Sequence, residues 1–104
     1  MLADTSTAAK FEVLETLLRQ GYQSDLIDRT LEKIIALETE NIRKKLSDIL
    51  SKIRRFEKQY EMTSEDFYRS YERGEMGDSV DFMEWSSLYD MSHLLEHHLA
   101  LLTR

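Results

Sequence analysis

Apolar residues recur along the chain at intervals of three and four, with no sustained alternation of period two, and this spacing predicts helices throughout. A first helix is predicted at about 7–20. Phe11, Leu14, Leu17 and Leu18 form its apolar face, Ser6 or Thr7 stands where a cap is needed, and Gly21 stands where a left-handed closure would fall. A second helix is predicted at about 24–60, with Ser24 as cap and Asp25 and Asp28 near its positive end. Its apolar face is broad at first (Leu26, Ile27, Leu31, Ile34, Ile35), as a helix holding a short neighbour requires. Beyond Glu38 it narrows to the seam Ile42, Leu46, Ile49, Ile53, Phe56 and Tyr60, a heptad-like stripe that faces one or two long partners. Helix propensity dips at Thr39-Glu40-Asn41, and the pattern alone leaves continuity there open.

Met62-Thr63-Ser64-Glu65-Asp66-Phe67 has the form of a helix start: Thr63 can cap, Asp66 occupies the return position of a capping box, and Met62 can staple onto Phe67. A short third helix at about 63–73 should end at Gly74. A fourth, at about 78–103 with Asp78 as cap, carries Phe82, Trp85, Leu88, Tyr89, Ser92, Leu95, Leu99 and Leu102 at three- and four-residue steps. Two long helices joined by a short helical corner should return antiparallel. The expected fold is all-α: one domain over 1–104, a long helical hairpin with the first helix folded against its open end. A lone hairpin leaves parts of both stripes uncovered, so pairing of two copies into a helical bundle is expected.

Composition narrows the function classes. The chain has 104 residues, no proline to interrupt a helix and no cysteine for a disulfide or a thiolate. No apolar run approaches the ~20 residues of a membrane span, and no secretory leader pattern opens the chain, so a soluble cytoplasmic protein is expected. Charge is unevenly placed. Residues 43–60 hold seven basic and two acidic side chains, whereas residues 61–104 hold three basic and ten acidic ones. The plainer reading is that the acidic half lies beside the basic stretch. The sharper one is that Arg43, Lys44, Arg54 and Arg55 meet nucleic acid or an acidic partner. With a net charge of −6 and no helix-turn-helix signature, nucleic acid is the weaker of those partners.

His93-Leu94-Leu95-Glu96-His97 matches the inverted zinc-peptidase pattern, in which two histidines one turn apart hold the metal and the glutamate is the base. His93, Glu96 and His97 are thus the candidates for a metal-binding helix or a small metal-dependent hydrolase. A catalytic zinc wants a third protein ligand, and none is apparent, so a solvated helix face is the preferred reading and no cofactor is expected. The acid pairs Glu12/Glu15, Glu72/Glu75 and Asp78/Asp81/Glu84 lack the doubled-acid motif of helical magnesium sites and suit capping and solvation instead.

Eight of the ten aromatic residues with Trp, Tyr and Phe side chains lie between 56 and 89. Phe56, Phe67 and Phe82 should fill the hairpin corner. Tyr68, Tyr71, Trp85 and Tyr89 exceed what so short a corner can bury, and these residues, with Tyr60, are of the types that supply much of the energy of protein interfaces. They are the candidate partner-binding set.

The run from Phe56-Glu57-Lys58-Gln59-Tyr60 through Asp66-Phe67-Tyr68, with Gly74-Glu75-Met76-Gly77-Asp78, Asp81-Phe82-Met83-Glu84-Trp85, Lys10–Glu15 and Leu31–Ile35, resembles small all-helical prokaryotic proteins of unassigned function. Some of these look like antitoxin components of toxin–antitoxin operons. The resemblance implies a non-enzymatic protein that neutralises or scaffolds a partner, often a basic toxin, and it brings no catalytic residue with it. The acidic C-terminal half suits such a partner. No DNA-binding segment accompanies it.

Overall fold

The computed structural model describes residues 4–104, and these are helical with turns between: α1 (Thr7–Arg19), α2 (Asp25–Tyr60), α3 (Ser64–Glu72) and α4 (Val80–Leu102). The chain divides into two compact units, Met1–Lys33 and Ile34–Arg104, with the boundary inside α2. The expected caps are found for three helices. Ser6 Oγ accepts from the Ala9 amide, Ser24 Oγ from Ile27 and Thr63 Oγ1 from Asp66, at 3.1, 3.2 and 3.1 Å. The fourth differs. Ser79, not Asp78, caps α4, its hydroxyl accepting from the Phe82 amide at 3.2 Å, so the helix begins two residues later than expected.

α2 is continuous through Thr39-Glu40-Asn41. Thr39 turns its hydroxyl back to the Ile35 carbonyl at 2.6 Å, which satisfies the side chain within the helix, and the residue is buried. α2 then closes in a left-handed turn. Glu61 has φ 51°, and the Met62 amide reaches the Glu57 carbonyl at 3.2 Å, the six-to-one bond of a Schellman motif. Gly74 (φ 73°) closes α3 in the same way, with Glu75 N–H on the Ser70 carbonyl. At Glu61 the same conformation is imposed on a residue with a Cβ.

In the second unit the seam of α2 faces α4. Tyr60 meets Asp81 and Phe82, Phe56 meets Trp85, and Leu50 and Ile53 share a groove with Ser92 and His93, so the two helices run antiparallel as expected. Ile49, Ile53, Phe67 and Trp85 form the core, ringed by Leu50, Phe56, Tyr60, Met62, Tyr71, Phe82 and Leu95. In the first unit Leu14 and Leu31, both half-buried, line one groove between α1 and the start of α2, but no residue from 4 to 33 is fully buried. No helix among the described residues is long and apolar enough to cross a membrane.

Candidate functional site

The aromatic corner is organised around one hydrogen bond. Trp85 Nε1 donates to Ser64 Oγ at 2.9 Å, and both residues are buried. Ser64 begins α3, where a backbone amide has no helical partner. That amide donates to Glu57 Oε2 at 2.9 Å, so the last turn of α2 is tied to the first turn of α3. Thr63 Oγ1 takes the Asp66 amide, as a capping box requires. The Asp66 carboxylate does not return the bond but faces Arg69 at 3.7 Å.

Around that bond the rings close in. Phe67 lies parallel to Trp85 with centroids 3.9 Å apart and planes 1° from parallel. Phe56 and Tyr60 stack on the indole at 5.7 and 5.9 Å, and Phe82 tilts against both Tyr60 and Phe67. Trp85 therefore corrects an expectation. The sequence places it with the partner-binding aromatics, but it has no exposed surface: the rings of Phe56, Tyr60 and Phe67 pack on it and the buried Ser64 hydroxyl accepts from its one donor. It holds the corner together and is not available as a contact.

The tyrosines lie differently. Tyr60, Tyr68, Tyr71 and Tyr89 are all half-buried, with one side on the corner and the other reaching solvent. Tyr60 donates its phenol to Asp81 Oδ2 at 2.5 Å, and Tyr68 donates to Asp90 Oδ1 at 2.6 Å. Hydrogen bonds to carboxylates hold both phenols above the ordinary tyrosine range, through Asp81 for Tyr60, and through Asp90 and then Glu72 for Tyr68. Tyr68 packs on Tyr89 at 4.8 Å, and Tyr89 meets the His93 ring edge-on at 4.5 Å. Tyr68, Tyr89 and His93 thus make a continuous aromatic strip along α3 and α4, edged by Asp90. Tyr71 stacks on Phe67 at 5.4 Å. Asp81, Asp90, Ser64 and Glu57 organise the corner, and sequence reasoning missed all four as partners of the aromatics.

His93 Nδ1 stands 3.9 Å from Glu96 Oε2, both side chains being more than half exposed. The His97 and His98 rings are 6.3 Å apart. No group of three or more His, Cys, Asp or Glu side chains that could hold a metal ion occurs among the described residues, so the histidine face has the donors of a pair without the convergence of a site.

Arg43, Lys44, Arg54 and Arg55 are all exposed. Lys44 pairs with Glu40 one turn away at 3.3 Å. Arg54 lines a groove of about 200 Å³ with Glu57, Tyr89, His93 and Glu96, and Arg55 shares another of about 220 Å³ with Phe56 and Glu84. The acidic α4 does lie beside the basic part of α2. Yet every ion pair among the described residues is within a single helix, so the two blocks are neighbours without direct pairing.

Set against family models, curated proteins and solved structures, the chain gives no match, and the geometry above carries the functional argument by itself.

Proposed function

We propose that this is a non-enzymatic interaction protein that pairs with itself and binds a basic protein partner through the aromatic and acidic corner. The observation that carries the reading is the Tyr68–Tyr89–His93 strip. Its rings are held by packing on one side and open to solvent on the other, with Asp90 at the edge. Rigid amphipathic rings lose little conformational freedom on binding, and an acidic rim steers a cationic partner. Residues 61–104 carry ten acidic side chains against three basic ones, which gives that rim its sign. Neutralisation of a small basic toxin, as the resemblance to antitoxin components implies, is the specific form of this activity, and a cytoplasmic setting goes with it.

The test is capture of a partner from the source cells with the full chain, followed by titration of the purified pair. Tyr89→Ala and Tyr68→Ala should each weaken binding at least tenfold, and binding should weaken as salt is raised. Recovery of no partner, together with a monomer in solution, would sink the proposal. So would a partner whose affinity ignores both substitutions.

A further inference from the structure

Between residues 41 and 59, every exposed side chain of α2 is polar. Arg43, Lys44 and Lys45 form one basic cluster, and Lys52, Arg54, Arg55 and Lys58 form a second. Asp48 is the one exposed acid, and Asn41, Ser47, Ser51 and Gln59 complete the face. The apolar residues of the stretch are all buried or half-buried on the seam side. At ~100° per residue the cations cover an arc of about 200°, on the side of the helix away from the seam.

Solvation alone does not account for this face. An exposed helix face gains from opposite charges one turn apart and loses from like ones. Here Lys52 and Arg55, Arg54 and Lys58, and Arg55 and Lys58 stand three or four residues apart with the same sign. Among the described residues, Lys44 alone of these cations has an ion pair, to Glu40 at 3.3 Å. Asp48 has Lys44, Lys45 and Lys52 within four positions and pairs with none of them. The cations stand free on a chain whose net charge is −6, so they concentrate a positive field on an otherwise acidic protein.

Three features name the partner. A protein interface is anchored by apolar or aromatic side chains, and this face offers none. The same lack disfavours a lipid surface, into which an interfacial helix inserts its apolar side. A phosphate backbone needs only cations and hydrogen-bond donors. Second, no aromatic ring is exposed between 41 and 59 on which an unpaired base could stack, which favours a duplex over a single strand. Third, the centres of the two clusters lie about 16 Å apart along the axis at ~1.5 Å per residue, with Ser47, Asp48 and Ser51 between them. That span lets each cluster meet the phosphates on one side of a groove ~12 Å wide, with the serines and Asp48 over the opening. The sequence alone ranks nucleic acid below an acidic partner, and the exposures reverse that order.

We infer that this face of α2 docks on the sugar–phosphate backbone of double-stranded nucleic acid, without reading the base sequence. It adds a second binding surface to the aromatic corner and does not depend on the basic partner proposed there.

The experiment is an anisotropy titration of short fluorescein-labelled DNA and RNA duplexes with the full chain, over a range of salt. Binding to at least one duplex is expected, and the stronger of the two names the source. The logarithm of affinity should fall with the logarithm of salt at a slope of about −4 to −6. Arg54→Gln/Arg55→Gln should weaken binding at least tenfold and make that slope shallower by about 2. Asp48→Asn should tighten binding at least twofold. Lys10→Gln/Arg29→Gln removes the same charge from residues 4–33 and should change affinity less than twofold. All the substituted residues are exposed, and far-ultraviolet circular dichroism reports whether each variant keeps its helices. No binding of either duplex at ~50 mM salt and ~100 μM protein overturns the inference, as does binding indifferent to Arg54→Gln/Arg55→Gln. Tighter binding of the single strands, of polyglutamate, or of phosphatidylcholine vesicles containing phosphatidylserine overturns it too, and assigns the face to that partner instead.

Discussion

Trp85 and Ser64 are joined by a buried hydrogen bond, indole N–H to hydroxyl at 2.9 Å, and this contact links α3 to α4 at the centre of the aromatic corner. A buried donor stripped of its acceptor keeps its desolvation cost without compensation. Ser64→Ala should therefore destabilise the protein by about 1–3 kcal/mol. Trp85→Phe removes the donor along with part of the ring, and adding Ser64→Ala to it should cost markedly less than Ser64→Ala alone. Denaturant titrations of the four proteins of that cycle, followed by circular dichroism, measure the coupling. Simple additivity would mean that the bond contributes nothing.

Glu61 offers the opposite sign. It holds φ at 51° to close α2, a conformation that costs a residue with a Cβ about 1–2 kcal/mol, whereas glycine adopts it freely. Glu61→Gly should raise stability, by up to about 1 kcal/mol once the extra freedom of the unfolded chain is subtracted. Gly74→Ala, at φ 73° with open space around the site, should lower it by a similar amount for the same reason. Thermal melts of both variants read the pair directly.

The phenols of Tyr60 and Tyr68 give the corner a pH signature. In an unfolded chain tyrosine ionises near ~10. In the folded protein the bonds to Asp81 and to Asp90 hold both groups above that, so above this pH the native state keeps protons the unfolded chain has released. The stability these bonds confer is present in full below about pH 10 and declines as the pH rises from there through the folded values. Urea midpoints should therefore fall between pH 9 and pH 11, and the fall should be smaller in a Tyr60→Phe/Tyr68→Phe double variant. An equal fall in both proteins would separate the alkaline transition from these two residues.

The helices were legible because their determinants are local. Apolar steps of three and four, Ser6, Ser24 and Thr63 at the starts, and Gly21 and Gly74 at the ends all act within a few residues of one another. Ser79 displaced Asp78 as the cap of α4 because two adjacent residues could both cap, and the choice depends on the turn after Gly77. The corner was legible as a cluster but not as a site. That Trp85 would be enclosed while Tyr68 and Tyr89 reach solvent depends on the angle at which α3 meets α4, which no spacing encodes. Glu57 with Ser64, Tyr60 with Asp81 and Tyr68 with Asp90 are separated by 7, 21 and 22 residues, so their pairing exists only once the chain has turned back. The uncovered face of α1 was hidden for another reason. Phe11, Leu17 and Leu18 read as one apolar stripe, and only the exposures show that its own unit leaves much of it bare.

That bare surface predicts an uneven stability within the chain. The unit Ile34–Arg104 has a core in which Phe67 and Trp85 are wholly enclosed, whereas residues 4–33 bury no side chain completely. Local opening follows buried apolar contact, so amides of α1 should exchange with solvent far faster than those of α2 around Ile49–Phe56 or α4 around Trp85–Ser92. Hydrogen exchange followed by mass spectrometry of peptides from 7–19 and 80–92 tests this directly. Protection of α1 equal to that of α4 would show that this helix is held as firmly as the core despite its exposed side chains.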